Sequence, residues 1–453
     1  MGFRNTFLVN ISHSPKLILE QGIIFVLLLS NPSFAADLSF QSETIMRIFE
    51  SDVRENDDDK GKTVVPIHEY LQFDLENLTE KNLSFHAFGW GRHDFAQSGF
   101  YDKDTDGEFL YGYLQYSRSA HNLLVRVGRQ YIFGVDSDSS LDGILVNTDL
   151  SPWFSISAFG GQPSSLRSKN GRGGDLTAGG RISLHKGNSV QVGLFYKYVA
   201  DDSNRDEEEV GFDLSSYLPK GVSLSGRSKW NLVTDGWAEH SYQALGRILG
   251  VQIRPFFEYF EYENFFNKRE NSADPFRFLA ETEEKITTFG SDFTYTVIPS
   301  VDVGAKLKYY DYEKRDESAQ YISALAVWRW EQLSEWGAEL GLMNGDGSEN
   351  RYFLGRTYVY KTLPLGFVTG DFVYAHYDEE IQGRDYSAFF SLGAGRNFLD
   401  DALEVKLSGD FSSDPYFDSN LRGMLNLRYN FKHSTSSEMP QVKPDAPVKG
   451  SSP

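Results

Sequence analysis

The segment Leu421–Phe431, LRGMLNLRYNF, alternates along its whole length. Leu421, Gly423, Leu425, Leu427, Tyr429 and Phe431 fall on one side, and Arg422, Met424, Asn426, Arg428 and Asn430 on the other. Side chains of a strand point to opposite faces in turn, so one face of this segment is apolar and the other polar or charged. A soluble protein could bury such a face in a core. Here the pattern recurs along nearly the whole chain, and little else is present to cover so many apolar faces. A closed barrel in lipid resolves this, with apolar residues outward, polar residues inward and no free edge.

Other segments repeat the pattern. Val190, Val192, Leu194, Tyr196 and Tyr198 alternate with Gln191, Gly193 and Lys197; Val222, Leu224 and Trp230 with Ser223, Ser225, Arg227 and Lys229. Val301, Val303, Ala305 and Leu307 alternate with Asp302, Gly304, Lys306 and Lys308; Leu403, Val405, Leu407 and Phe411 with Glu404, Lys406, Ser408 and Asp410. The lysines and aspartates keep to one face, which a lipid-facing surface would not tolerate. Val405 and Leu427 are thereby expected in lipid, and Lys406 in the lumen.

Connections give a second signal. Short ones fall at Leu78–Asn82, Ser119–His121, Leu150–Pro152, Lys186–Asn188, Leu218–Lys220, Ile248–Gly250, Ile298–Ser300, Leu333–Glu335, Thr362–Leu365 and Leu399–Asp401. Between them lie longer, more acidic ones: Asp52–Pro66, Asp94–Asp106, Pro163–Gly174, Ala200–Glu209 and Glu263–Glu283. Outer-membrane barrels have short periplasmic turns and longer outer loops. The rhythm predicts an all-β chain: one transmembrane antiparallel β-barrel of about 22 strands (roughly 18–24), with no plug domain. The first strand is expected to begin near Glu43 and the last to end at Phe431, with both termini periplasmic. Strands near Leu141–Thr148 and Trp153–Gly160 read as short, and Pro255 as an interruption of Val251–Tyr262.

The chain has 453 residues and no apolar run of the roughly 18 to 20 that a transmembrane helix needs. The apolar run Gly22–Leu29 follows Arg4 and Lys16 and precedes Ser33-Phe34-Ala35, the order of a secretory signal. Residues 1–35 are therefore expected to be a signal peptide, 36–431 the barrel, and 432–453, rich in Ser, Pro and Lys, a disordered periplasmic tail. The formal charge of −20 argues against nonspecific nucleic-acid binding. Acidic runs such as Asp57-Asp58-Asp59 and Asp206-Glu207-Glu208-Glu209 read as solvated loops. The 35 Phe, 25 Tyr and 7 Trp suit aromatic girdles at two membrane interfaces.

The absence of cysteine removes disulfides, thiolate metal sites, thiol nucleophiles and covalent haem attachment. The nine histidines form no HExxH motif, and no GxSxG or P-loop stretch appears. No nucleophile is singled out, so an enzyme is not expected, and no cofactor is assigned. One local constellation points to a metal: Asp102, Asp104 and Asp106 precede Gly107, and alternate carboxylates at a turn can hold Ca²⁺ through oxygen. The twelfth position, where an EF-hand has Glu, is Tyr113. A solvated acidic loop is the plain alternative.

Strand phase places Arg126, Arg181, Lys197, Arg227, Lys229, Lys306, Lys308, Lys406, Arg422 and Arg428 inward as candidate pore-lining residues. The inward acids in the same strands are Asp74, Glu76, Asp302, Glu404 and Asp410. Lys268, Arg269 and Arg277, in the longest outer connection, are candidates for a constriction loop folded into the pore.

The stretch LLVRVGRQY (Leu123–Tyr131), with Leu141-Asp142-Gly143 after an acidic loop, resembles the L-R-x-G-R-Q…D-G stretch of Gram-negative porin-like barrels. FHAFGWGRHD (Phe85–Asp94), GYLQYSR (Gly112–Arg118), TDGWAEHSY (Thr234–Tyr242) and DPFRFLAETEEK (Asp274–Lys285) look like segments of barrels from cytochrome-rich, metal-respiring anaerobes. The resemblance implies an outer-membrane channel for small hydrophilic solutes or ions. Its alternative is a barrel sleeve around a multihaem cytochrome. Tyr429 and Phe431 resemble the signal read by the barrel-assembly machinery. No ligand residues carry over.

Overall fold

The computed structural model describes residues 37–51, 62–78, 82–96, 99–132, 140–164, 176–187, 189–201, 204–265, 284–331, 333–415 and 419–433. The expected signal peptide, almost all of the expected tail, Asp57-Asp58-Asp59 and the constriction candidates Lys268, Arg269 and Arg277 lie outside the described residues.

The strand segments, in chain order, begin with β1 (Asp37–Ser51), β2 (Lys62–Val64), β3 (Pro66–Glu76), β4 (Leu83–Asp94), β5 (Thr105–Arg118) and β6 (Leu123–Tyr131). They continue with β7 (Ser140–Ser151), β8 (Phe154–Pro163), β9 (Leu176–Lys186), β10 (Val190–Asp201), β11 (Asn204–Leu218) and β12 (Val222–Asn231). Next come β13 (Gly236–Ile248), β14 (Val251–Glu261), β15 (Lys285–Ile298), β16 (Val301–Tyr312), β17 (Glu317–Glu331) and β18 (Ser334–Gly345). The last are β19 (Tyr352–Leu363), β20 (Gly366–Ile381), β21 (Arg384–Phe398), β22 (Leu403–Ser413) and β23 (Asn420–His433). A short helix α1 (Tyr262–Phe265) follows β14.

Each strand pairs antiparallel with its neighbours in sequence, and β1 pairs with β23, from Leu38↔His433 to Phe49↔Arg422. The sheet therefore closes into a barrel of 22 strands. β2 and β3 count as one, since both pair with β1 in a single register, Met46↔Ile67 and Phe49↔Val64. The break between them falls at Val65, just before Pro66, which has no N–H to give the ladder. The N–H of Val65 instead donates to Asp94 Oδ1, 3.0 Å away.

Expected short connections such as Ser119–His121, Leu218–Lys220, Ile248–Gly250, Ile298–Ser300 and Leu399–Asp401 are observed as tight turns. Leu78–Asn82 and Lys186–Asn188 lie partly outside the described residues, and of Leu333–Glu335 the last two residues already belong to β18. Their conformation explains their brevity. At Ile248–Gly250, Leu249 has φ 52° and Gly250 φ 85°, the two left-handed residues that reverse a twisted hairpin. The first strand starts at Asp37 rather than near Glu43, and the last runs to His433, two residues past Phe431. Strands β7 and β8 are not short, at 12 and 10 residues. Pro255 does not interrupt β14. It keeps its pairing with Ser291 on β15, while the β13 ladder skips from Gln243↔Phe256 to Gly246↔Ile253. Proline lacks a donor on one side only, so the strand survives with one edge unbonded.

One expected long connection is shorter than read: within Ala200–Glu209, β10 runs to Asp201 and β11 starts at Asn204.

The register sorts every side chain to a face. Ile322, Leu340 and Leu407 are 54%, 59% and 65% exposed, and they lie on the outer surface with their cross-strand neighbours Leu342, Ala324 and Leu425. Such apolar exposure over a whole barrel is a surface made for lipid. Glu69 is one charged residue on this face. It stands opposite Thr44, and its carboxylate accepts from Ser42 Oγ at 2.6 Å and Thr44 Oγ1 at 2.5 Å. The two hydroxyls satisfy the group where water is scarce.

Candidate functional site

The inner face carries the charge. Arg181 makes two bonds to Asp213, at 2.8 and 2.6 Å. Arg227 meets Glu239 at 2.7 Å, Lys306 meets Glu339 at 2.9 Å, and Arg428 meets Glu43 at 2.9 Å. Arg422 lies 3.6 Å from Asp410. Arg254–Asp292, Arg329–Asp302 and Arg356–Asp371 extend the series around the wall. The pairs come from neighbouring strands or from strands one apart, and the charge-assisted bonds fix the long side chains along the wall.

Three of the candidate bases differ from the rest. Arg126 donates to Gln115 Oε1 at 2.8 Å and lies over the Tyr113 ring. Lys308 lies 5.7 Å from the centroid of Phe256. Neither these two nor Lys406 has a carboxylate partner among the described residues.

Sequence phase had counted five acids on this face. It missed Glu43, Asp213, Glu239, Asp292, Glu339 and Asp371, each of which faces a base. The signal was present: each lies an even number of residues from other inward positions of its own strand.

The acidic run at 206–209 is a correction of the loop expectation. Glu207 and Glu209 are 1% and 0% exposed and point into the barrel, whereas Glu208 points out and accepts from Tyr196 Oη at 2.9 Å. Alternation within the run places its acids opposite lysines on the flanking strands. Lys197, 1% exposed, pairs with Glu207, and Lys229, 4% exposed, lies 3.2 Å from Glu209. Burial of these charges is tolerable because each is matched. Above this cluster, α1 turns inward. Phe265 places its ring 4.3 Å from Lys229 Nζ, and the Asn264 carbonyl accepts from Asn231 Nδ2 at 2.7 Å. The described start of the connection that carries Lys268, Arg269 and Arg277 is thus seated on the inner wall.

The L-R-x-G-R-Q…D-G residues perform a fold task. Arg129 on β6 grips Asp142 on β7 with two bonds of 2.8 Å and donates a third to the Phe109 carbonyl at 3.0 Å. Gln130, fully buried, donates to the Gly143 carbonyl at 3.3 Å. Gly128 has φ 128°, and a Cβ there would stand 2.3 Å from the Gly112 carbonyl oxygen. Only glycine lets the strands approach this closely.

Asp102, Asp104 and Asp106 do not converge. Among the described residues no group of three acids or histidines could hold a metal ion. Asp106 faces Arg92 at 3.8 Å and accepts from the Gly107 N–H at 2.9 Å.

No protein-family model matches the chain, and no curated protein sequence matches it. Solved structures do. OccAB4 of Acinetobacter baumannii is 10% identical over 89% of this chain and 100% of its own, with a TM-score of 0.43. A BenF-like porin from Pseudomonas fluorescens Pf-5 is 10% identical over 88% and 99%, at 0.45. The E. coli P pilus tip assembly intermediate PapC-PapD-PapK-PapG gives 0.53 at 10% identity, covering 89% of this chain and 62% of that one. At such identities the likeness concerns the fold. A closed antiparallel barrel with an apolar outer belt is how proteins cross the outer membrane of Gram-negative bacteria, and this chain has that fold.

Proposed function

We propose that the chain is a passive outer-membrane channel for small hydrophilic solutes and ions. The observation that carries this reading is the division of faces: apolar residues outside, and a wall of matched charges and polar groups inside. Such a wall suits water-filled passage, and no domain fills the bore among the described residues. On this reading, residues 1–35 direct export and the short turns face the periplasm.

Planar-bilayer recording on the purified, refolded chain tests the proposal. Discrete ohmic current steps are expected; their absence from correctly folded protein would refute a channel. In a salt gradient the reversal potential should show weak anion preference. Of the ten candidate bases, Arg126, Lys308 and Lys406 are the ones without an acid partner among the described residues, and the preference should rest largely on them. Lys308→Glu combined with Lys406→Glu should remove or invert it. By contrast, Lys306→Glu should mainly disturb folding through Glu339, which also accepts from Tyr321 at 3.0 Å and Ser323 at 2.8 Å. Clear cation selectivity of the native channel would assign control to the acidic mouth.

A further inference from the structure

One sector of the lumen is aromatic rather than charged. On β3 to β5 the inward positions hold His68, Tyr70, Phe88, Trp90, Tyr111 and Tyr113. Their rings form an unbroken series down the wall. His68 lies 6.3 Å from Trp90 and 6.3 Å from Tyr70, Tyr70 lies 6.5 Å from Phe88, Phe88 5.6 Å from Tyr111, and Tyr111 5.8 Å from Tyr113. All six are part-exposed, and Tyr70, Phe88 and Tyr111 form the middle of the series. A second inward aromatic group, Tyr310, Tyr312, Tyr321 and Tyr352, differs from it: there Tyr312 and Tyr321 are buried together with Met343, whereas the rings on β3 to β5 are part-exposed.

The rim of the series is polar and balanced. Asp74 accepts from His86 at 2.7 Å and from Gln72 at 3.0 Å. The His86 ring lies 5.1 Å from that of Tyr113, and the Arg126 guanidinium lies 4.9 Å above it. At the foot of the series, therefore, one acid and one base flank the same ring. Further along the same strands, Arg92 stands opposite His68 and Glu108 opposite Trp90, so donors and acceptors flank both ends of the series.

We propose that this sector is a sliding track for neutral saccharides. A pyranose has a flat C–H face, weakly positive, that lies on the negative face of an aromatic ring, and an equatorial fringe of hydroxyls that both donate and accept. The rings offer the first surface in successive steps, and the Asp74–His86 and Gln115–Arg126 pairs offer the second. An aromatic carboxylate would also stack and could meet Arg126, but a single ring gains nothing from a succession of rings, whereas a chain of sugars does. Successive equivalent rings hold a chain of sugars weakly at many places, which favours passage over capture.

This inference rests on the channel reading and deepens it. The experiment is current blockade of the full chain in planar bilayers by linear gluco-oligosaccharides from maltose to maltohexaose, with benzoate as the competing probe. Saturable blockade that strengthens with oligosaccharide length is expected. Phe88→Ala with Tyr111→Ala should raise the half-blocking concentration about tenfold or more, from roughly 1 kcal/mol per lost ring. Tyr111→Phe should keep it near native, since the ring face remains. Normal ion current without saccharide blockade would overturn the track and leave the channel standing. Blockade by benzoate alone, or blockade unchanged in the double variant, would equally overturn it. Absence of any ion current would remove the channel reading and the track together.

Discussion

Replacing Glu209 by Leu should cost about 3–5 kcal/mol of stability, the largest effect expected of any single lumen substitution. Glu209 is fully buried, and it stands between Lys229 at 3.2 Å and the register position of Lys197. Both lysines are themselves almost entirely buried. Removal of the carboxylate leaves an ammonium in a dry site beneath α1, and an unmatched buried charge costs far more than the pair was worth. Lys229→Met in the same chain should recover most of the loss, because the pair is then replaced by apolar groups of similar size. Trp230 and Trp237, 5.0 Å apart beside the cluster, report the transition by fluorescence in a urea titration. A loss below about 1 kcal/mol for Glu209→Leu alone would mean that water reaches these groups.

The second large effect concerns the outer surface. Leu407→Arg should cost about 2–4 kcal/mol, since the guanidinium would enter hydrocarbon near the middle of β22. The neighbouring Lys406 faces the bore, so Lys406→Ala should leave assembly nearly intact. The pair tests orientation with one residue of separation. Unfolding in lipid vesicles, followed by the gel shift between folded and heat-denatured barrel, gives the comparison. Equal damage from Leu407→Arg and Lys406→Arg would reverse the assignment of faces.

Much of this architecture was legible because a membrane barrel writes itself twice, in alternation and in turn spacing. Leu421–Phe431 carried the first signal, and turns such as Ile248–Gly250 the second. Where the sequence misled, a side chain had found a partner that only the register could supply. Glu207 and Glu209 looked like loop acids because an acidic run is normally solvated. They are strand residues because Lys197 and Lys229 stand across from them. Pro255 looked like a break, but a proline forfeits bonds to one neighbour only. The matched acids of the wall were hidden for the same reason, since pairs such as Arg428–Glu43 join opposite ends of the chain. The Asp102–Asp106 run shows the converse: spacing alone does not converge carboxylates, and the Arg92 guanidinium takes up one of them.

Arg428 and Glu43 are 385 positions apart in sequence, yet they meet across a seam that is bonded like every other pair of strands. The ring has no chemically privileged starting point. Leu38 and His433 lie side by side at that seam, on the same rim as the short turns. A linker joining the two ends, with a new opening cut at a tight turn such as Leu399–Asp401, should therefore give a circularly permuted chain that closes into the same ring. Which strand is made first would then be a matter of biosynthesis, not of architecture.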